Sequence, residues 1–222
     1  IKIGICGFGT VGKSFANHLI QYQDKISKNC QRDISLSMIC DRSIDKKKFE
    51  SQTIKFSSDI MDVIESDCDL IVELIGGTET AYDLVKEAIC KKKSIITANK
   101  ALIAEKGDEL LELSAKNNTY IGYEASVAGA VPIINSLTHN MLNEQILSIN
   151  GIINGTCNYI LDSMSSENKS FEEALSNAQK LGYAESDPTF DIGGFDAAHK
   201  LSILSMIAFG IKSPFMKMNI QG

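Results

Sequence analysis

Ile1-Lys2-Ile3-Gly4-Ile5-Cys6-Gly7-Phe8-Gly9-Thr10-Val11-Gly12 is the stretch on which the fold turns. Its first six residues form a short apolar run, and Lys13 to Tyr22 has helical composition, so the three glycines lie between a strand and a helix. In a G-x-G-x-x-G loop so placed, the first glycine permits the tight turn and the second lets the backbone approach a pyrophosphate. The third lets helix and strand pack closely. Phosphates then rest at the positive N-terminus of the helix. The loop residues Gly7, Phe8, Gly9, Thr10, Val11 and Gly12 are therefore expected to bind a dinucleotide, as the opening of a Rossmann unit.

Further strands are expected at Ile34 to Cys40, Leu70 to Leu74, Ser94 to Thr97 and Tyr120 to Gly122. Helices fall between them, at about Thr78 to Cys90 and from Asn99-Lys100 to about Lys116. Such alternation means an α/β fold, a mostly parallel sheet with helices on both faces. After Tyr123 the texture changes. Gly-containing Val127-Ala128-Gly129-Ala130 precedes Pro132 at a helix start, and a long apolar strand is expected at Ile146 to Ile153. The reading is a Rossmann domain over residues 1–125 and a second α+β domain over 126–222. That second domain carries helices at Phe171 to Leu181, closed by Gly182, and at Asp196 to Ala208. The end of the chain shows no obvious closing element, which suggests part of a longer polypeptide.

Composition narrows the function classes. With 22 Lys+Arg against 28 Asp+Glu and a net charge of -6, no basic block is large enough to neutralise nucleic-acid phosphates. Lys46-Lys47-Lys48 and Lys91-Lys92-Lys93 read as solvated faces. The six cysteines contain no C-x-x-C pair, so zinc and thioredoxin chemistry find no support, and reduced thiols in a cytoplasm are expected. No run approaches the ~18 apolar residues of a membrane span, and the start reads as a strand rather than a signal peptide.

Asp41 ends the second strand, where an acidic side chain would hold the ribose hydroxyls of NAD. Arg42 beside it, with Lys46 to Lys48, could instead meet the 2′-phosphate of NADP, so both cofactors stay open. Ile75 and Gly76, after the third strand, and Asn99 and Lys100, after the fourth, stand at the carboxyl edge where open α/β sheets put ligands, and complete the expected cofactor contacts. A second charged region runs from Gly182-Tyr183-Ala184-Glu185-Ser186-Asp187-Pro188 through Asp191 and Gly194 to Asp196-Ala197-Ala198-His199-Lys200. Its carboxylates can hold a substrate ammonium while a lysine handles a proton or an alkoxide. Asp187, before Pro188, reads as a turn former.

With these blocks the chain resembles the homoserine dehydrogenase family. The resemblance rests on Gly7 to Gly12, Glu73-Leu74-Ile75-Gly76-Gly77, Thr97-Ala98-Asn99-Lys100, Tyr123-Glu124-Ala125-Ser126-Val127, Asn154-Gly155-Thr156 with Asn158-Tyr159-Ile160, and Gly182 through Lys200. It implies NAD(P)-dependent interconversion of L-aspartate 4-semialdehyde and L-homoserine, in a cytoplasmic enzyme of threonine and methionine synthesis. It makes Lys200 and Lys100 the candidates for proton transfer at the aldehyde oxygen, with a water held by both as an alternative. Lys200 stands four residues after Asp196, so ammonium and carboxylate share a helix face. Glu185, Asp191 and Asp196 are the candidates for the substrate ammonium, with Tyr183 beside them. Gly155 and Thr156, at a helix N-terminus, are candidates for the carboxylate or the aldehyde oxygen. The resemblance further implies a sodium ion held by oxygens of Glu124, Val127, Gly129 and Val131, and a homodimer.

One residue departs from the family pattern: Cys157 stands where threonine most often follows Asn-Gly-Thr. At a helix N-terminus a thiolate is favoured, so Cys157 opens a rival reading as the nucleophile of a thioester-forming semialdehyde dehydrogenase. A second rival, a dinucleotide-binding regulatory module with a decayed site, is opposed by the presence of Glu185, Asp196 and Lys200. His18 and His139 read as structural or exposed, and His199 as pointing about 100° away from Lys200 on its helix.

Overall fold

The structure, a computed structural model, describes residues 1–44, 53–212 and 214–222. It divides into two compact units, Ile1–Gly129 and Ala130–Gly222.

The first unit is a six-stranded, wholly parallel sheet of β1 (Lys2–Cys6), β2 (Ser35–Cys40), β3 (Lys55–Ser57), β4 (Leu70–Glu73), β5 (Ser94–Thr97) and β6 (Ile121–Gly122), in the order β3-β2-β1-β4-β5-β6. β1 is central and carries buried residues at four consecutive positions, because helices cover a parallel sheet on both faces. Ile5, Ile39, Ile71 and Ile95, one from each of the four middle strands, are all 0% exposed. Burying a side chain of that size contributes about 1.5–3 kcal/mol. The helices are α1 (Thr10–Gln21), α2 (Gln23–Cys30), α3 (Ile60–Glu65), α4 (Glu79–Cys90) and α5 (Lys100–Asn117). Five strands and three long helices fall within three residues of their expected bounds, the largest difference being the start of α1. β3, α2 and α3 were not foreseen. β3 is a three-residue, largely exposed edge strand, and α2 buries none of its residues, so neither leaves an apolar period in the sequence. Lys46 to Lys48 lie outside the described residues.

The regular elements of the second unit's described residues are all helical: α6 (Ile133–Asn135) with the π-turn Ser136–Asn140, α7 (Gly155–Glu167), α8 (Phe171–Lys180), α9 (Thr189–Ile192) and α10 (Phe195–Phe209). α8 starts on a reciprocal cap. Ser170 Oγ accepts from the Glu173 N–H (3.2 Å) and the Glu173 carboxylate accepts from the Ser170 N–H (3.0 Å). Ala174 and Ala178, both 0% exposed, let α7 approach closely, so that Ile160, Ala184 and Ile192 close a small core.

The strand expected at Ile146 to Ile153 is not formed. The segment pairs with no strand among the described residues, and Leu147 and Ile152 are 83% and 77% exposed. A strand needs a neighbour's N–H and C=O groups, and the described part of this unit offers helices alone.

Candidate active site

In the first unit the glycine loop is shaped by what cannot be added to it. Gly7 has φ +100°, and a Cβ there would lie 2.3 Å from the Leu74 carbonyl oxygen. A Cβ on Gly12 would lie 2.1 Å from the Gly7 carbonyl oxygen, so α1 packs directly on the loop. A Cβ on Gly9 would meet nothing within 4 Å, which leaves the backbone open to approach at the N-terminus of α1. A cleft of about 930 Å³ begins there, lined by Gly7, Gly9, Asp41, Arg42, Ile75 and Gly76 among others. An open backbone cradle at a helix start, with a carboxylate and a guanidinium along the cleft, fits a dinucleotide.

Asp41 is half-buried and also serves the loop itself. One carboxylate oxygen accepts from the Phe8 N–H (2.7 Å), and the other from the N–H (2.9 Å) and hydroxyl (2.8 Å) of Ser43. Arg42, exposed, follows in the turn, while Phe8 is fully buried and Val11 is 62% exposed. Thr10 opens α1.

Sequence reasoning named Glu73 only within a matching block, and the structure makes it the tie of this edge. It is 0% exposed, its oxygens accepting from the Ile75 N–H (2.8 Å), the Gly76 N–H (3.4 Å) and the Thr97 hydroxyl (2.5 Å). The Thr97 oxygen in turn accepts from the Asn99 N–H (2.9 Å). Asn99 caps α5 by accepting from the Leu102 N–H (3.1 Å) and donates its amide to the Gly77 carbonyl (2.6 Å). The loops after β4 and β5 are thereby joined, and Lys100, half-buried, is set as the first residue of α5 at the carboxyl edge.

In the second unit Lys200 Nζ donates to Asp196 Oδ2 (2.7 Å) and to the Ile153 carbonyl (2.8 Å). Asp196 is only 5% exposed. Asp191 Oδ1 and Asp196 Oδ2 both accept from the side-chain amide of Asn154, at 2.8 and 2.9 Å. Thr156, buried, gives its hydroxyl to the Tyr183 carbonyl (2.6 Å) and lies 3.3 Å from Asp191 Oδ2, while the N–H groups of Gly155 and Thr156 stand in the first turn of α7, where a helix has no partner of its own for them. The helix cap there is Asn154, accepting from the Cys157 N–H (2.7 Å), and not Thr156. Glu185 is exposed, and Tyr183, 58% exposed, packs on Tyr159 with ring centroids 4.9 Å apart. Asp187 accepts from the Thr189 hydroxyl and N–H at the start of α9, and the hydroxyl bond holds its carboxyl below the usual range. His199, expected to point away from Lys200 on its helix, is buried between Phe190 and Phe215.

Cys157 is the reverse of an activated nucleophile. Burial first, then the charges of Asp191 and Asp196, push its thiol pKa up, outweighing the helix N-terminus, and its Sγ lies 3.2 Å from the Asp191 carbonyl. Of the proposed cation ligands, Glu124, Val127 and Gly129 belong to the first unit and Val131 to the second. Gly129 is flanked by Ala128 and Ala130, both in the left-handed region at φ +49° and +67°, a costly conformation for alanine. Among the described residues no group of three or more His, Cys, Asp and Glu could hold a metal ion, and no helix is long and apolar enough to cross a membrane.

A parallel sheet in this strand order, an open glycine cradle at its carboxyl edge, and a second unit with a lysine held between a carboxylate and a carbonyl define a dinucleotide-binding α/β protein of the dehydrogenase type. The family profile described as the NAD binding domain of homoserine dehydrogenase matches residues 7–124, and that described as homoserine dehydrogenase matches residues 132–222. The chain belongs to the homoserine dehydrogenase family. It is 43% identical to the homoserine dehydrogenase of Neisseria gonorrhoeae over 100% of its own length and 51% of that protein's. Among solved structures, it superposes on a homoserine dehydrogenase from Thiobacillus denitrificans with a TM-score of 0.93 at 40% identity, covering 100% of this chain and 52% of that one. A hyperthermophilic archaeal homoserine dehydrogenase in complex with NADPH matches at a TM-score of 0.82 and 29% identity, over 95% of this chain and 70% of that one. The chain thus spans about half the length of the curated relatives it matches.

Proposed function

We propose that the protein carrying this chain interconverts L-aspartate 4-semialdehyde and L-homoserine with NAD(P), in the cytoplasmic synthesis of threonine and methionine. The observation that carries the reading is Lys200, an ammonium with three donors of which Asp196 and the Ile153 carbonyl use two. The third serves the substrate oxygen, stabilising the alkoxide and passing the proton that makes it an alcohol. Lys100, at the carboxyl edge of the sheet, is the second candidate for that proton transfer. The nicotinamide, when bound, supplies or accepts the hydride. Glu185 and Asp191 take the substrate ammonium, with Tyr183 alongside, while the N–H groups of Gly155 and Thr156 at the start of α7 take its carboxylate. Asp196, whose Oδ2 is occupied by Lys200 and Asn154, orients the lysine.

The dinucleotide lies along Gly7 to Gly12, with Asp41 and Arg42 at its ribose end and Ile75, Gly76 and Asn99 toward the nicotinamide. The relative bound to NADPH supports NADP, and Arg42 is a cation for its 2′-phosphate. A sodium ion held by oxygens of Glu124, Val127, Gly129 and Val131 is carried by the family resemblance, oxygen being the donor a hard cation takes. A homodimer is supported by the exposed, unpaired apolar segment at 146–153, whose backbone a second copy can pair. The domains are drawn at 1–125 and 126–222.

The test follows nicotinamide absorbance with homoserine and either NAD or NADP, on the protein with its native termini, at about pH 9 where proton release favours oxidation. Reduction with homoserine alone supports the reading and gives the cofactor preference. No reduction, with turnover of aspartate semialdehyde plus phosphate, would transfer the reading to the Cys157 thioester enzyme.

A further inference from the structure

We propose that Asn154 is a positioning residue for this reaction: its side-chain amide clamps the carboxylates of Asp191 and Asp196 side by side and thereby sets where Lys200 stands. The inference rests on the function proposed above. Asn154 is 7% exposed, and all of its side-chain capacity is directed. Its Oδ1 accepts from the Cys157 N–H (2.7 Å), which leaves Nδ2 facing the carboxylates, one N–H for Asp191 Oδ1 (2.8 Å) and one for Asp196 Oδ2 (2.9 Å). The two donors of a primary amide thus match two acceptors from two different helices, α9 and α10, while the oxygen fixes the start of a third, α7.

The choice of a neutral donor matters. Two carboxylates brought this close repel, and without a donor between them one would turn away or take up a proton. A lysine or arginine in that place would hold them but would compete with Lys200 for Asp196 and cancel the negative charge that Asp191 offers a substrate ammonium. An amide holds them and leaves their charge intact. The neighbouring residue adds to the effect, because the Ile153 carbonyl takes a second N–H of Lys200 while Asp196 Oδ2 takes the first. Residues 153 and 154 therefore hold both members of the Asp196–Lys200 pair, and displacement of the clamp moves the lysine.

The experiment compares Asn154, Asn154→Ser and Asn154→Asp in the protein with native termini. All three side chains cap a helix about equally well, so a purely capping role predicts three similar enzymes. The clamp predicts a steep order. Asn154→Ser, where water can replace part of the amide, loses about tenfold in kcat for homoserine oxidation. Asn154→Asp, which sets a third carboxylate against the other two, loses roughly 10²-fold or more, the scale of an ångström-sized misplacement. Cofactor affinity, read by nicotinamide fluorescence, stays within about twofold in the serine variant, since the clamp acts on the chemical step rather than on the dinucleotide. In parallel, the rate at which acetyl-N-hydroxysuccinimide acetylates Lys200, read by peptide mass spectrometry, rises in Asn154→Ser relative to the other lysines. Equal kcat in all three, or a loss of kcat matched by equal losses of cofactor affinity and melting temperature in Asn154→Ser, overturns the proposal. If the unaltered protein does not oxidise homoserine while Lys200 acetylation still rises in the serine variant, the functional reading falls and the clamp stands. If neither is seen, both fall.

Discussion

The two units prepare for charged ligands with opposite materials. In the first, the decisive features are missing side chains: Gly9 opens the backbone, Gly7 turns it, and Gly12 lets α1 sit on it. In the second, the decisive features are charged and amide side chains that come from residues 154 to 200 and, with the Ile153 carbonyl, meet only in the folded chain. A backbone cradle is a local object that one short stretch can specify. A side-chain network depends on the packing of three helices, and each member can be lost singly without disturbing the others' identity.

That contrast can be broken by substitution. The largest effect is expected from Lys200→Ala, which removes the proton-handling group and lowers kcat by about 10²–10⁴-fold while cofactor affinity changes little. Parallel loss of cofactor binding, measured by fluorescence titration, would make Lys200 a structural residue. Next come the glycines, which separate two roles within one loop. Gly12→Ala drives a methyl group against the Gly7 carbonyl and costs about 1–3 kcal/mol of stability, seen as a lower melting temperature. Gly9→Ala meets no protein atom, so the melting temperature holds and only dinucleotide affinity falls. If both variants lose stability equally, the division of labour among the glycines is wrong. The smallest effect belongs to Cys157→Ser, expected to be nearly silent in turnover. Because the raised pKa keeps this thiol protonated at neutral pH, iodoacetamide should label it more slowly than a free cysteine, with the rate climbing only at higher pH. Rapid labelling at pH 7 together with loss of activity in the serine variant would restore the thioester reading.

Much of the first unit was legible because its signals are local. Strands β1, β2, β4 and β5 are apolar runs closed by glycine or polar residues, and the glycine spacing states its own purpose. β3 was illegible because an exposed three-residue edge needs no apolar pattern. At the second site the residue types were readable and their partners were not. Asn154 entered the sequence reading only as part of a matching block, and nothing local reports that it caps α7 or that its amide reaches residues 191 and 196. The apolar segment 146–153 misled for a related reason. Its composition is that of a strand, but pairing is a property of what lies alongside, and the described chain brings nothing there.

Glu73 and Thr97 carry a consequence for how such a chain can change. They face each other across neighbouring parallel strands, and the Glu73 oxygens also serve the loop that follows β4. Removing the carboxylate alone strands the Ile75 N–H and the Thr97 hydroxyl, and removing the hydroxyl alone leaves a wholly buried oxygen short of a donor. Each step taken singly is costly, whereas a matched apolar pair would spare the strand interface and cost only the N–H bonds of the two loops, at Ile75 and Asn99. The two positions therefore behave as one inherited unit, to be exchanged together in any grafting of this edge onto another sheet, with strong non-additivity expected between them.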